Sequence, residues 1–158
     1  MRLTIDGRNV EAAEGMSILQ AAKTVGIEIP TLCYLEGISD IGSCRLCVVE
    51  VEGVNELATA CNTKAKEGMV VQTASERVIE ARKTVLKLLL SNHNIDCFNC
   101  EKNGDCELQK YCNIYGIDTT PYFGSRGLLE CEIPKKDAHP FLSYDQSKCI
   151  YCQRCVQT

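Results

Sequence analysis

The twelve cysteines of this chain constrain its fold more than any other feature, because most of them fall into three spaced sets along 158 residues. A cysteine content this high points to a disulfide framework, to structural zinc or to iron–sulfur clusters. Disulfide frameworks are typical of small secreted domains that lack a core, whereas 45% of this chain is hydrophobic. The opening residues, Met1 to Asp6, lack the apolar stretch of a secretory signal peptide. We therefore expect a metal-binding protein of a reducing, cytoplasmic compartment.

The central set combines one histidine with three cysteines in the spacing H-x3-C-x2-C-x5-C: His93, Cys97, Cys100 and Cys106. Its C-x2-C pair can place two thiolates on one metal centre from a single tight loop. Asn103 and Gly104 are turn-forming residues that bend the backbone so that Cys106 can join the pair. Soft and borderline ligands of this kind suit iron–sulfur clusters or zinc.

Another set of four cysteines has the spacing C-x10-C-x2-C-x13-C: Cys33, Cys44, Cys47 and Cys61. Gly37, Gly42 and Ser43 indicate that the first gap is a loop. Such a loop can wrap a cluster and direct backbone N–H groups at its sulfur atoms, which helps to tune the reduction potential. Cys47 begins one predicted strand and Cys61 ends another, so both side chains are expected to be rigidly held.

Two other interpretations of the cysteines stay open. A lone free cysteine is usually a small buried hydrophobe, and structural zinc also uses cysteine and histidine. Zinc sites commonly combine two short Cys or His pairs, whereas Cys33 to Cys61 contain one C-x2-C and two distant cysteines. Cys112 and Cys131 fit neither set, and we interpret them as ordinary thiols. We interpret His139, in the sequence D-A-H-P, as a loop residue.

The N-terminal half predicts a small α+β sheet crossed by a helix. Two short strands flank the Asp6-Gly7 turn, which is a hairpin signal. Ser17 and Gln20 form a capping box that begins a helix, and Gly26 is placed to end it. The predicted strands cover residues 2–5, 9–13, 46–51, 57–61 and 70–73.

A second helix is predicted from the capping pattern Thr73-Ala-Ser-Glu76 to about Ser91. Its apolar residues cluster on one side, as expected of a packing face: Val78, Ile79, Val85, Leu86 and Leu89. This helix delivers His93 just beyond its C-terminal end.

A third set, C-x2-C-x2-C, consists of Cys149, Cys152 and Cys155. It matches the opening of the bacterial ferredoxin run C-x2-C-x2-C-x3-C-P, whose fourth cysteine serves the other cluster of a two-cluster module. That fourth cysteine would fall beyond Thr158, and three thiolates do not complete a four-iron cluster. We therefore expect the sequence to belong to a longer protein. The Gly-rich and charged stretch around Pro134 predicts a linker before this set.

The cysteine set from Cys33 to Cys61 and its predicted sheet resemble the ferredoxin-like [2Fe–2S] domain, with a β-grasp fold, of the large iron–sulfur subunit of respiratory NADH dehydrogenase (complex I). Iron-only hydrogenases and NAD-linked formate dehydrogenases share that domain. The first gap in the cysteine spacing is x10, whereas plant-type ferredoxins have x4. In this spacing the chain is similar to the complex I branch of the family. Residues His93 to Gln109, ending G-D-C-E-L-Q, resemble the [4Fe–4S] segment with one histidine and three cysteine ligands that follows the β-grasp domain in this family.

This resemblance implies an α+β architecture and its cofactors. The implied order is a β-grasp [2Fe–2S] domain at 1–75, a small helical [4Fe–4S] domain at 76–121, a linker at 122–140 and the start of a two-cluster [4Fe–4S] ferredoxin module at 141–158. The implied [2Fe–2S] ligands are Cys33, Cys44, Cys47 and Cys61. The implied [4Fe–4S] ligands are His93, Cys97, Cys100 and Cys106, with Cys149, Cys152 and Cys155 forming part of a further site.

The resemblance predicts an electron-transfer subunit, or N-terminal region, of a formate dehydrogenase, NAD-linked hydrogenase or complex I-like oxidoreductase. Single electrons would pass between a flavin/NAD(H) or ferredoxin partner and a catalytic oxidoreductase subunit or domain. No Gly-rich phosphate loop is visible, and no catalytic centre is predicted in this chain. A net charge of -4 without a basic stripe argues against nucleic acid, and no apolar run approaches membrane length. The alternative function is a structural zinc-binding interaction protein.

Overall fold

The computed structural model describes residues 1–122 and 148–158, and it divides into two units. The first unit comprises Met1–Val85 and Cys152–Thr158, and the second comprises Leu86–Tyr151. Apart from Tyr122, the predicted linker lies outside the described residues, as do Cys131 and His139. Within these described ranges, no helix is long and apolar enough to cross a membrane.

The first unit is built on a five-stranded mixed sheet with the strand order β2-β1-β5-β3-β4. Its strands are β1 (Arg2–Ile5), β2 (Arg8–Glu11), β3 (Val48–Val51), β4 (Ala58–Thr59) and β5 (Val70–Gln72). β1 pairs antiparallel with β2 and parallel with β5, while β3 pairs antiparallel with β4 and β5. The predicted α+β sheet is confirmed, although β2, β3, β4 and β5 are each shorter than the sequence pattern suggested.

Helix α1 (Ile18–Thr24) covers this sheet and begins at the predicted capping box. The Ser17 hydroxyl accepts a hydrogen bond from the Gln20 N–H at 3.2 Å, and the Ser17 N–H donates to Gln20 Oε1 at 2.9 Å. Two of the orphan N–H groups at the helix start are thereby satisfied. Because strand side chains alternate between faces, apolar residues of the sheet meet Ile18 and its neighbours in one core. That core includes Leu3, Ile5, Val10, Val49 and Val71.

Helix α2 (Glu76–Asn92) is present as predicted, but its N-terminal cap differs from the prediction. The Ser75 hydroxyl, rather than Thr73, accepts a hydrogen bond from the Val78 N–H at 3.3 Å. Thr73 instead donates its N–H and hydroxyl to the two carboxylate oxygens of Asp6, at 2.7 and 2.5 Å. Thr73 therefore ties the end of β5 to the β1–β2 turn, a long-range contact that a local capping pattern cannot reveal.

The second unit contains the end of α2, a loop over residues 93–106, and helix α3 (Glu107–Tyr115). Cys106 is the N-cap residue of α3, and Gly116 ends the helix at a φ of 65°. Leu86, Leu90 and Leu108 are buried in this unit. The segment after α3 returns to α2, where the Thr120 hydroxyl donates to the Lys87 carbonyl at 2.8 Å. A short helix, α4 (Arg154–Gln157), belongs to the first unit.

Candidate metal centres

The first cysteine set lies in the first unit and is buried, with no side chain of the four more than 9% exposed. Cys33, Cys44 and Cys47 come from the segment that leads into β3, and Cys61 follows β4. The predicted strand ends are slightly displaced, since β3 begins one residue after Cys47. Cys61 interacts electrostatically with each of the other three thiols, so the four lie close together.

Cys47 and Cys61 form a hydrogen-bonded pair of thiols. A hydrogen bond from the Cys61 thiol lowers the pKa of Cys47 to about 7, although burial of the Cys47 side chain acts in the opposite direction. The same hydrogen bond, together with burial, raises the pKa of Cys61. Cys47 is therefore the more acidic thiol of the pair. The thiolate is the form that binds metal.

The pKa of Cys44 depends on burial and on backbone N–H groups, one of which belongs to Cys33. Burial raises the pKa of the Cys44 thiol to about 11, and backbone hydrogen bonds from Leu46, Cys33 and Leu32 oppose that rise. Such N–H donors favour a negative sulfur atom. Arg45, which follows Cys44, has a φ of 56°, which is uncommon for a residue with a side chain. The turn in the C-x2-C segment therefore presents the Leu46 N–H to Cys44, while the other two N–H groups come from Leu32 and Cys33.

Gly42 allows the long loop to close beside the last cysteine of the set. Its φ is 65°, and a Cβ atom at this position would stand 2.8 Å from Nδ2 of Asn62, the neighbour of Cys61. Only glycine combines this backbone conformation with so close an approach. The loop that the sequence predicted from its glycines is thus held against the segment that follows β4.

The second set lies in the second unit, where His93, Cys97, Cys100 and Cys106 all line one small cavity. The three cysteines are half-buried, in contrast to the first set. His93 directly follows the last residue of α2, as predicted. Cys106 stands at the N-terminus of α3, an end at which the helix dipole favours negative charge.

Hydrogen bonds within residues 93–106 shape this loop. Both carboxylate oxygens of Asp96 accept from the Asn99 amide, at 3.0 and 3.1 Å, and so brace the turn between Cys97 and Cys100. The Lys148 ammonium donates to the Asp96 carbonyl at 3.0 Å. Lys148 had no predicted role in this site. No local sequence signal reveals it, because it lies far along the chain from Asp96.

Gln109 holds the Asn103-Gly104 turn from helix α3. Its Oε1 accepts from the Gly104 N–H at 3.0 Å, and its Nε2 donates to Asn103 Oδ1 at the same distance. Gly104 has a φ of 82°, as the predicted turn requires. The sequence motif included Gln109 without giving it a role, and the structure shows that its amide fixes the turn immediately before Cys106.

The third set is divided between the two units: Cys149 belongs to the second, whereas Cys152 and Cys155 belong to the first. The Tyr151 N–H donates to Cys149 Sγ at 3.4 Å. Tyr151 has a φ of 54°, again in the left-handed region. Cys155 is exposed in the short helix α4. The prediction that these cysteines contribute to a further cluster stays a prediction.

Residues 1–122 and 148–158 contain no group of three or more His, Cys, Asp or Glu side chains placed to hold one metal ion. Zinc requires every ligand to stand about 2.0–2.3 Å from a single ion. A cluster distributes its protein ligands over several iron atoms, so its ligands stand further apart. Each of the two sets supplies four soft or borderline ligands, which is the number and kind of ligand that an iron–sulfur cluster takes.

Two family models match successive parts of the chain. One, described as a 2Fe-2S iron-sulfur cluster binding domain, matches residues 1–76. The other, described as the NADH-ubiquinone oxidoreductase-G iron-sulfur binding region, matches residues 82–121. Residues 1–76 therefore form a 2Fe-2S cluster binding domain, and residues 82–121 form an NADH-ubiquinone oxidoreductase-G iron-sulfur binding region. These matches confirm the predicted resemblance, and with it a [2Fe–2S] domain followed by a [4Fe–4S] binding region.

Relatives of this chain include subunits of NAD(P)H-linked oxidoreductases and hydrogenases. The chain is 48% identical over 160 residues to the NADP-reducing hydrogenase subunit HndD of Solidesulfovibrio fructosivorans, covering 98% of this chain and 27% of the relative. It is 38% identical over 157 residues to the mitochondrial NADH-ubiquinone oxidoreductase 78 kDa subunit of Candida albicans, covering 99% and 22%. The chain thus spans only about a quarter of the length of these relatives.

A solved structure is also similar to this chain. A chain of an NAD+-reducing [NiFe]-hydrogenase in the H2-reduced state matches with a TM-score of 0.84 and 33% sequence identity. The match covers 99% of this chain and 64% of that one.

Proposed function

We propose that this chain carries single electrons within an NAD(P)H-linked oxidoreductase or hydrogenase. When bound, iron–sulfur clusters accept and release one electron at a time. The observation that supports the proposal most strongly is the convergence of two complete ligand sets in a chain whose family is an iron–sulfur family. The partners would be a flavin/NAD(H)-binding or ferredoxin-type subunit on one side and a catalytic subunit or domain on the other, in a reducing compartment such as the cytoplasm.

The [2Fe–2S] cluster is held by Cys33, Cys44, Cys47 and Cys61 in this proposal. Burial of all four thiols excludes water. Backbone N–H groups directed at Cys44 and Cys47 stabilise negative sulfur. The mixed sheet with α1 across it supports a β-grasp fold for this domain.

The [4Fe–4S] cluster is held by His93, Cys97, Cys100 and Cys106 in this proposal. Asp96 and Gln109 orient the two turns of the loop, and the start of α3 favours the negative charge of the thiolates. The proposed domains are those expected from the sequence, at 1–75 and 76–121. We also propose that Cys149, Cys152 and Cys155 begin a ferredoxin-type module.

The test is to produce the chain under anaerobic conditions in cells with an active cluster-assembly system. We expect a brown protein with equal amounts of iron and acid-labile sulfide, and two distinct EPR signals after reduction. Cys44→Ser should remove or alter the [2Fe–2S] signal alone, and Cys100→Ser the [4Fe–4S] signal alone. Cys112→Ser is the matched control, because Cys112 is a buried thiol outside both sets. It should leave both signals intact.

The alternative function, a structural zinc protein, predicts a different outcome of the same experiment. A colourless, folded protein that contains zinc and no sulfide would overturn the electron-transfer proposal. The matches of residues 1–76 and 82–121 to iron–sulfur family models favour a cluster over zinc.

A further inference from the structure

Arg82 is a charged residue in the buried stripe of helix α2. Its exposure is 4%, and it lies four residues after the fully buried Val78 and four before the fully buried Leu86. Apolar side chains are expected at this helical spacing. Burying a guanidinium is costly unless the group is well hydrogen-bonded. Its presence in the stripe therefore calls for a specific role.

The hydrogen bonds of Arg82 lie on either side of a proposed cluster ligand. Its Nε donates to the Leu46 carbonyl at 3.1 Å, and its Nη2 donates to the Val48 carbonyl at 2.8 Å. Leu46 and Val48 are the two neighbours of Cys47. The Cys47 carbonyl itself accepts from the Ala60 N–H at 3.0 Å. The three consecutive carbonyl groups of residues 46–48 therefore all accept hydrogen bonds, two of them from the Arg82 side chain.

We propose that Arg82 is the positioning residue of the [2Fe–2S] centre. It fixes the backbone on both sides of Cys47, so that the sulfur atom is held ready for iron, and it brings a positive charge close to the cluster. The cluster becomes more negative when it is reduced, so this charge stabilises the reduced state and raises the midpoint potential. The inference rests on the proposed assignment of Cys33, Cys44, Cys47 and Cys61 to a [2Fe–2S] cluster.

Arginine suits this role better than lysine. The guanidinium is a rigid planar fork that can donate to two carbonyl groups at once, whereas an ammonium is a single point donor on a flexible stem. A lysine at position 82 would keep the charge near the cluster but hold one carbonyl less firmly. Substitution of Arg82 by lysine and by glutamine can therefore separate the effect of the positive charge from the effect of the two hydrogen bonds.

The experiment compares three variants of the iron-loaded chain: Arg82→Gln, Arg82→Lys and Arg77→Gln. Arg77 is the matched control, because it lies on the same helix and also contacts the β3 region through Glu50 and the Asn55 carbonyl, but is largely exposed. The readouts are the midpoint potential of the [2Fe–2S] EPR signal and the rate at which a chelator removes iron from that centre.

Arg82→Gln should lower the midpoint potential and speed iron loss from the [2Fe–2S] centre about tenfold, as expected for the loss of hydrogen bonds from a charged donor. Arg82→Lys should keep the potential near that of the unmodified protein and still lose iron faster. Arg77→Gln should change neither quantity. The [4Fe–4S] signal of the same samples serves as an internal reference.

Two outcomes would overturn the proposal. One is an Arg82→Gln protein whose potential and rate of iron loss equal those of Arg77→Gln. The other is an Arg82→Lys protein whose potential falls as far as that of Arg82→Gln, since the charge would then have no effect. Absence of a [2Fe–2S] signal in the unmodified protein would instead contradict the proposed function itself. If Arg82→Gln does not fold, Arg82→Lys is compared with Arg77→Gln, and equal rates of iron loss from these two proteins would overturn the proposal.

Discussion

At the scale of single residues, the proposed ligand His93 would differ from the proposed cysteine ligands, because a neutral imidazole would take the place of an anionic thiolate. A cluster with less negative charge around it is easier to reduce, as in Rieske centres, where histidine replaces cysteine and the potential rises. His93→Cys should therefore lower the midpoint potential of the [4Fe–4S] centre. Redox titration monitored by EPR measures this change. An unchanged or raised potential would contradict it, and the [2Fe–2S] potential should stay constant as a control.

Gly42 offers a second test at this scale. Gly42→Ala should lower the free energy of unfolding of the iron-loaded protein. A left-handed backbone alone costs a residue with a side chain roughly 1–2 kcal/mol, and the loss at position 42 should be larger. The added Cβ would also meet Asn62 Nδ2 at 2.8 Å. Gly53→Ala is the matched control, since Gly53 has a φ of 79° but nothing within 4 Å of its Cβ position. Chemical unfolding under anaerobic conditions should show the larger loss for Gly42→Ala; equal losses would show that the contact is unimportant.

At the scale of elements, the features that could be predicted are those formed by residues close together in the sequence. The capping box at Ser17 and the Gly104 turn involve residues a few positions apart, and both are present. The cap of α2 was misassigned to Thr73, because its partner Asp6 is distant in sequence and could not be identified from a local pattern. Contacts that depend on tertiary packing override local preference in such cases.

The role of Arg82 illustrates the same limit. The apolar face of α2 was predicted from its apolar residues, and Arg82 was not singled out. A basic residue four positions from both Val78 and Leu86 was nevertheless a usable signal, because it interrupts an otherwise apolar stripe. What the sequence could not supply was the identity of the carbonyl groups that this guanidinium reaches.

The start of helix α3 provides a test of how an element supports the second centre. Gln109→Met keeps a side chain of similar length but removes both hydrogen bonds to the Asn103-Gly104 turn. The turn before Cys106 should become looser, and a chelator should remove iron from the [4Fe–4S] centre faster than in the unmodified protein. Lys110→Met is the control, as Lys110 is an exposed neighbour on the same helix. Equal rates for the two variants would contradict a role for Gln109.

At the scale of the whole molecule, the two units depend on different sources of stability. The first has an apolar core between its sheet and α1, which includes the buried Cys47 and Cys61. In the second, no residue from Asn92 to Cys106 is buried. A loop with so little apolar burial cannot offset the entropy of ordering it, so bound metal must contribute much of its stability.

Removal of iron should therefore affect the two units unequally. After treatment with a chelator, limited proteolysis followed by mass spectrometry should find the first cleavages within residues 93–106, with residues 1–72 protected for longer. The iron-loaded protein is the control and should resist cleavage in both regions. Equally rapid cleavage within the sheet would show that its core also requires the metal.

The unequal burial of the two cysteine sets has a consequence for handling the protein in air. Peroxide must touch an iron or sulfur atom to damage a cluster, and the thiols of the first set are shielded while those of the second are half-buried. Dilute peroxide should bleach the [4Fe–4S] signal first, leaving a species in which the [2Fe–2S] signal survives; the reverse order would contradict this. Oxidation would then stop electron transfer at the proposed [4Fe–4S] centre, because this centre is the more accessible of the two.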